Sequence, residues 1–478
     1  LEGEVTDELV ASLVESDEHL AQVRRFHRGL LWGNLQEVTA LAAGQRRLGR
    51  ISGTQLYRVG NARNTYRGER DVECLDQLQT NFDADGRPVP IRTYSDPECT
   101  GGTCRQEGYV MVRPYWDPST PIKVCAFDAQ SDTGTGTDGR SCSSYNADRN
   151  CGCGANLRAC AQVNSTHEKA MREALADEPA RLFEHIIRNR RSYLEAFTTN
   201  ETLVNGPSTH FYTHMTGVEA ETSGGGVTYK TEMSTMPDLT FQQSDEWRVV
   251  ERSDRHAGVL TTFGYLMRFA SNRGRANRFY SAFRCEPFVP PADGLPEELE
   301  ADPPPNLRER AGCASCHDTL ERVSAAWGRW RGASTYGFFD EEFLPMNEAR
   351  TDCEACQTGD GPRCSSFCNT YFITADNSHA LALADWRGYP QARAWLTDTE
   401  SAILEEGPTG LVDEPSEQRR VTTCAVRNLA THYLGRDLTE EELLEWVPEV
   451  HAEFETSGFD FLALTETLLK DERYRATR

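Results

Sequence analysis

Apolar residues recur every three or four positions over residues 4–48, among them Leu9, Leu13, Leu20, Val23, Phe26, Leu30, Leu31, Leu35 and Val38. That spacing predicts at least two amphipathic helices. The pattern then changes. From 50 to 160 Gly, Asp, Ser, Thr and Cys dominate, and the runs 108–112 and 122–126 predict short strands. Helical periodicity returns at 167–200 through Leu175, Leu182, Phe183, Ile186, Ile187 and Leu194, with Thr199-Asn200-Glu201 as a stop. Residues 221–250 are Gly-rich and polar, and a helical pattern resumes from His256 to Phe283. A Pro/Glu/Asp linker fills 286–306. Beyond it, Leu320, Val323, Ala326, Trp327 and Trp330 predict a short amphipathic helix, and 332–376 is irregular. Residues 377–403, 415–434, 438–453 and 457–471 predict a closing helical bundle. One of its helices opens at Asp437-Leu438-Thr439-Glu440-Glu441-Glu442 with an N-cap and an acidic first turn.

The chemistry concentrates just before that short helix. Cys313-Ala314-Ser315-Cys316-His317 reads C-x-x-C-H, the attachment signature of a c-type haem. Two thiols add to the two vinyl groups of one porphyrin, and His317 follows directly as the proximal iron ligand. The apolar face carrying Trp327 and Trp330 suits a porphyrin face or an ordinary core. Met346, in Leu344-Pro345-Met346-Asn347, lies about thirty residues on, where a loop Met can complete the iron as in cytochromes c. His379 is an alternative distal ligand. The cluster Arg268, Arg273, Arg275 and Arg278 would meet haem propionates or form a solvated helix face. The expected fold is therefore mainly α: helical domains around one covalent haem c, with a disulfide-rich insertion of irregular chain and short strands. Its divisions are a helical segment 1–50, a Cys-rich insertion 51–160, a helical domain 161–285, a haem segment with a Cys-rich loop 286–376, and helical 377–478.

Composition narrows the setting. The chain has 478 residues, with 50 Lys and Arg against 74 Asp and Glu, a net charge of −24. A surface this acidic argues against nucleic acid, whose affinity comes from Lys and Arg on phosphates. It also disfavours anionic membranes and suits a basic redox partner. Of 16 Cys, the fourteen outside the haem motif predict up to seven disulfides, with the clusters 142–160 and 353–368 pairing mostly within themselves. Cys353-x-x-Cys356 followed by Cys364-x-x-x-Cys368 also fits a zinc knuckle, though an oxidising compartment favours disulfides. No apolar run approaches the roughly 20 residues that span a bilayer. The chain begins at Leu1, which suggests a processed or truncated chain lacking its leader. Asp83 to Gly86 and Asp128 to Gly139 have the texture of calcium loops, or of plain turns. His210 and His214, at i and i+4, have the spacing of a ligand pair.

The segment Ala257 to Thr261, the Arg-rich helix, the proline run, Leu307-Arg308-Glu309-Arg310, the C-x-x-C-H motif and Gly328-Arg329-Trp330-Arg331 together resemble planctomycete and myxobacterial secreted cytochrome-c-like proteins. Cys424, Leu434 to Thr439 and Asp471 to Arg475 are similar to the helical domain that follows the haem domain in that group. The family commonly carries Asp-Pro-x-Gly after the haem His, where this chain has Asp318-Thr319-Leu320-Glu321. The resemblance implies a secreted haem protein, and leaves the reaction open. Three functions follow. The first is an electron-transfer cytochrome, working with a redox partner or a larger extracytoplasmic complex. The second is a peroxidase- or oxygenase-like enzyme with an open sixth position and His256, His379 or Arg255 on the distal side. The third is a surface-assembly protein stabilised by haem and disulfides.

Overall fold

The computed structural model describes residues 6–33, 46–59, 65–68, 72–131, 151–162, 165–215, 220–222, 225–227, 236–252, 254–269, 271–289, 312–327, 330, 402–403 and 405–476. Helix α1 (Asp7–Val14) starts where the Thr6 hydroxyl accepts from the Leu9 amide at 3.2 Å. Helix α2 (Asp17–Leu30) starts in the same way at Ser16, and α3 (Thr166–Arg188) at Ser165. These caps satisfy amides that the first turn leaves without a partner. The apolar stripe of α2, Leu20 and Val23, packs on Leu182, Phe183, Ile186 and Ile187 of α3. Short helices α4 (Glu195–Thr198) and α5 (Gly206–His210) follow, then α6 (Phe263–Arg268) and α7 (Asn272–Phe283). Helix α8 (Ala314–Ser324) carries the C-x-x-C-H motif. The chain closes with α9 (Pro415–Leu434), α10 (Val447–Thr456), α11 (Phe461–Lys470) and α12 (Glu472–Ala476).

One apolar core runs through α2, α3, α6, α7, α8, α9, α10 and α11, so segments far apart in sequence bury their stripes on each other. Its centre is aromatic. Phe183 lies 5.5 Å from Tyr193 and 5.9 Å from Phe283, and Tyr193 stacks on Phe461 at 5.2 Å. The Cys285–Cys424 disulfide ties the end of α7 to α9. The helix opening before α10 is capped by Thr439: its hydroxyl accepts from the Glu442 amide at 3.2 Å, and the Glu442 carboxylate accepts from the Thr439 amide at 2.8 Å. This reciprocal pair is a capping box.

The Cys-rich stretch is more ordered than expected. Strands β1 (Arg46–Arg50), β2 (Leu56–Val59), β5 (Tyr109–Val112), β6 (Ile122–Cys125) and β7 (Cys160–Gln162) form a five-stranded mixed sheet in the order β5-β6-β2-β1-β7. β1 runs antiparallel to β2, with Leu48 opposite Val59, and parallel to β7. Strands β3 (Arg92–Ser95) and β4 (Thr103–Gln106) make a separate hairpin. In the helical part, β8 (Glu201–Val204) pairs with β11 (Arg248–Glu251), and β9 (Ala220–Thr222) with β10 (Gly225–Val227). The mainly α expectation of helical domains around a single haem is thus corrected to a mixed α and β architecture. Every strand among the described residues has five residues or fewer, too short for period-two alternation to stand out. Arg46 to Leu48 were expected to be helical; pairing with β2 and β7, which buries Leu48, makes them a strand.

Covalent and ionic links hold this sheet. Disulfides join Cys74 to Cys125, Cys99 to Cys104 and Cys153 to Cys160. With Cys285–Cys424 they make four among the described residues, the covalent pattern of a chain folded under oxidising conditions. Beneath the sheet Arg67, Glu107 and Asp128 form a wholly buried ion triad. Arg67 Nε donates to Glu107 Oε1 at 3.0 Å and Nη2 to Asp128 Oδ2 at 3.1 Å, while the Val59 amide also donates to Asp128. Burial pushes the Asp128 carboxyl up, and Arg67 opposes that shift. No helix of the described residues is long and apolar enough to cross a membrane.

Candidate functional site

Gly312, at φ +76°, turns the chain into α8, a backbone that favours glycine. Cys313 is the N-cap residue, and its carbonyl accepts from the amides of Cys316 at 3.2 Å and His317 at 3.0 Å. At 100° per residue, a helical turn places Cys316, Cys313 and His317 within an arc of about 100°. All three residues are part-exposed. The three motif residues therefore leave the helix on one side of its first turn. Cys74, Cys99, Cys104, Cys125, Cys153, Cys160, Cys285 and Cys424 are paired, while Cys313 and Cys316 carry free thiols.

The rest of α8 turns inward. Leu320 and Val323 are buried, and the Ser324 hydroxyl donates to the Leu320 carbonyl. Trp327 is fully buried, with Nε1 donating to the Leu260 carbonyl at 3.0 Å and its ring 6.2 Å from Tyr265. Trp330 is also buried, and its carbonyl accepts from Arg275 Nη1 at 2.8 Å. Both tryptophans thus anchor the far end of the motif segment into protein. Helix α7 lies against α8, so the motif is attached to the shared core through its own helix.

Three of the four clustered arginines are engaged within the protein. Arg275 is wholly buried, donating to the carbonyls of Phe269 at 2.8 Å and Leu266 at 3.2 Å as well as to Trp330. Arg278 lies over the Trp32 ring, 4.0 Å from its centroid, and Arg268 Nε donates to the Trp32 carbonyl. These side chains knit α6 and α7 to neighbouring backbone; no sequence signal separates such an arginine from a solvated one.

His256 is buried against Trp330, ring centroids 4.8 Å apart, with Nδ1 3.2 Å from the Thr261 hydroxyl. Burial, helped by Arg252, holds its imidazole well below the ordinary range. Arg255 Nη1 donates to the Glu405 carbonyl at 3.2 Å. Met346, His379 and the cysteines of 353–368 lie outside the described residues.

His210 and His214 do come together, with ring centroids 4.9 Å apart, in a separate cluster. There His210 stacks on Tyr115 at 3.6 Å and His167 on Trp116 at 4.2 Å. His210 Nε2 donates to the Arg158 carbonyl at 3.0 Å, and burial pushes this imidazole down to about 3 and that of His167 to about 4. They are neutral rings in an aromatic core. Among the described residues, the His, Cys, Asp and Glu grouping close enough to hold an ion is Cys74, Glu107 and Cys125, and its two sulfurs are bonded to each other. In the candidate calcium loop, Asp83 Oδ1 accepts from the amides of Asp85 at 3.0 Å and Arg87 at 2.8 Å, an Asx turn. Asp128, which opens the second loop, belongs to the buried triad.

No family model, curated protein or solved structure matches this chain.

Proposed function

We propose that this chain is an extracytoplasmic c-type cytochrome that carries one covalent haem on Cys313 and Cys316 and exchanges electrons with a partner protein. The observation that supports this most is the pair of free thiols at the start of α8, in a chain whose other fully described cysteine pairs are oxidised. A Cys-x-x-Cys pair left unbridged beside disulfides is what haem attachment requires, since each sulfur must remain free to form a thioether. The donor set fits the group in kind and spacing: two thiols and an imidazole at i, i+3 and i+4 leave one side of the first helical turn. Cys313 and Cys316 would hold the porphyrin edge and His317 the iron. Bound there, the haem supplies one-electron exchange. The protein's part is to fix α8 rigidly, through Trp327 and Trp330, so that little of the surroundings reorganises when charge changes. The four disulfides support placement outside the cytoplasm, and the charge of −24 favours a basic partner.

The test is expression with export and a c-type maturation system, followed by acid–acetone extraction and visible spectra with and without carbon monoxide. Expected are haem that stays with the polypeptide and a c-type spectrum, and Cys316→Ser should leave at most a single thioether. A full-length protein that folds without haem and shows a Cys313–Cys316 disulfide by mass spectrometry would remove this reading. A carbon monoxide-insensitive, low-spin spectrum supports the electron carrier, and a carbon monoxide-sensitive one shifts the assignment to an enzyme.

A further inference from the structure

We propose that a cleft on the Cys-rich sheet unit binds a small oxyanion, a carboxylate or phosphate, between Arg87 and Arg105. The cleft has a volume of about 480 Å³ and lies between the 83–90 turn and β4. Its floor is Tyr66, whose ring stacks on Phe127 at 4.2 Å and whose hydroxyl donates to the Pro88 carbonyl at 2.8 Å. Pro88, Val89 and Pro90 form one wall. Two proline rings and a pinned tyrosine make these walls stiff, so the cleft is pre-formed.

The charge inside it runs against the rest of the molecule. Many arginines of the described residues are matched to carboxylates, as with Arg24 and Glu184, Arg190 and Asp460, or Arg436 and Glu442, and others to backbone carbonyls, as with Arg113 and Arg275. Arg87 and Arg105 are both exposed and line the same cleft, yet among the described residues neither guanidinium has an ion pair or hydrogen bond. The cleft's own acid, Asp83, is turned to the backbone, its Oδ1 accepting from two amides. Two unpaired guanidinium groups facing one concave surface repel each other until an anion lies between them. Guanidinium forks match the paired oxygens of carboxylate and phosphate. The Pro and Tyr walls leave room for a small apolar body behind the anionic group. In a chain of net charge −24, such an anion is drawn by local geometry and not by the overall field.

The experiment is isothermal titration of the full-length protein at low salt with inorganic phosphate and, separately, with citrate. The proteins are wild type, Arg87→Gln, Arg105→Gln, the double Gln variant and the double Lys variant. Expected is saturable one-to-one binding of at least one anion, weakened about tenfold by each single Gln change. The double Gln variant should lose binding, and the double Lys variant, which keeps the charge without the fork, should fall between. Binding of phosphate alone would identify a phosphorylated ligand, and of citrate alone a polycarboxylate. Arg113→Gln, whose guanidinium bonds the Pro118 and Ser119 carbonyls outside the cleft, should match wild type. Absence of saturable binding to wild type, or equal affinity in wild type and the double Gln variant, would overturn the proposal. The result is independent of whether haem is attached at Cys313.

Discussion

His27 should make this protein acid-labile by a calculable amount. The ring is wholly buried between α2, α3 and α11. It stacks on Phe183 at 4.1 Å, meets Phe26 edge-on at 5.0 Å and lies 5.1 Å from Phe461. Nδ1 donates to the Val23 carbonyl at 2.8 Å, so Nε2 is the bare nitrogen, and it has no hydrogen-bond partner among the described residues. Burial pushes the imidazole from 6.5 down to about 3, with the Val23 bond opposing. The unfolded chain therefore takes a proton near pH 6.5 that the folded chain refuses until about pH 3. Between those values the unfolded state binds more protons, so stability is complete above pH 6.5 and is lost as pH falls. The slope is about 1.4 kcal/mol per pH unit, so His27 alone removes about 2 kcal/mol between pH 7 and pH 5. The assay is urea unfolding at pH 7 and pH 5 for wild type and His27→Phe, which preserves the aromatic stack. The other histidines titrate in both proteins and cancel in the difference. The variant should lose about 2 kcal/mol less than wild type on acidification. Equal losses in the two proteins would refute the reasoning, because they would mean that the folded state accommodates the charged ring.

Two further changes test the links between elements. Replacing Cys285 and Cys424 together by Ala opens a loop with a sequence separation of 139 and should cost about 5 kcal/mol by chain entropy, seen as a lower guanidinium midpoint under non-reducing conditions; an unchanged midpoint would show that the bridge adds nothing to the α7–α9 contact. Arg67→Ala strands the buried carboxylates of Glu107 and Asp128 and should cost roughly 3–5 kcal/mol, whereas Arg67→Ala with Glu107→Ala should recover part of that loss in a double-mutant cycle.

Long amphipathic stretches were legible in the sequence because their periodicity is local. The 415–434 pattern is α9, 457–471 contains α11, and the strands expected at 108–112 and 122–126 are β5 and β6. Pairing within the 142–160 cluster is seen in Cys153–Cys160. What escaped depends on distant partners. Strand β1 looks like the tail of a helical pattern until β2 and β7 flank it. Cys285 and Cys424 have no sequence feature that matches one to the other. Arg275 belongs to an apparently solvated basic helix, and only the fold turns it toward four acceptors around Trp330. The C-x-x-C-H motif stood out because its chemistry is confined to one helical turn, whereas an iron's second ligand comes from anywhere in the chain.

The Cys285–Cys424 bridge also has a temporal meaning. A chain made from its N-terminus presents Cys285 first, then Cys313 and Cys316, and Cys424 only after the whole 353–368 cluster. During that interval Cys285 is a thiol in search of a partner, beside two thiols that the proposed cofactor needs. A premature bond from Cys285 to either would block attachment and leave Cys424 alone. Correct assembly then requires thiol–disulfide exchange, with Cys424 as the last arrival displacing the wrong partner. Yield in an oxidising compartment should accordingly depend on isomerase supply and on whether attachment at Cys313 and Cys316 precedes oxidation.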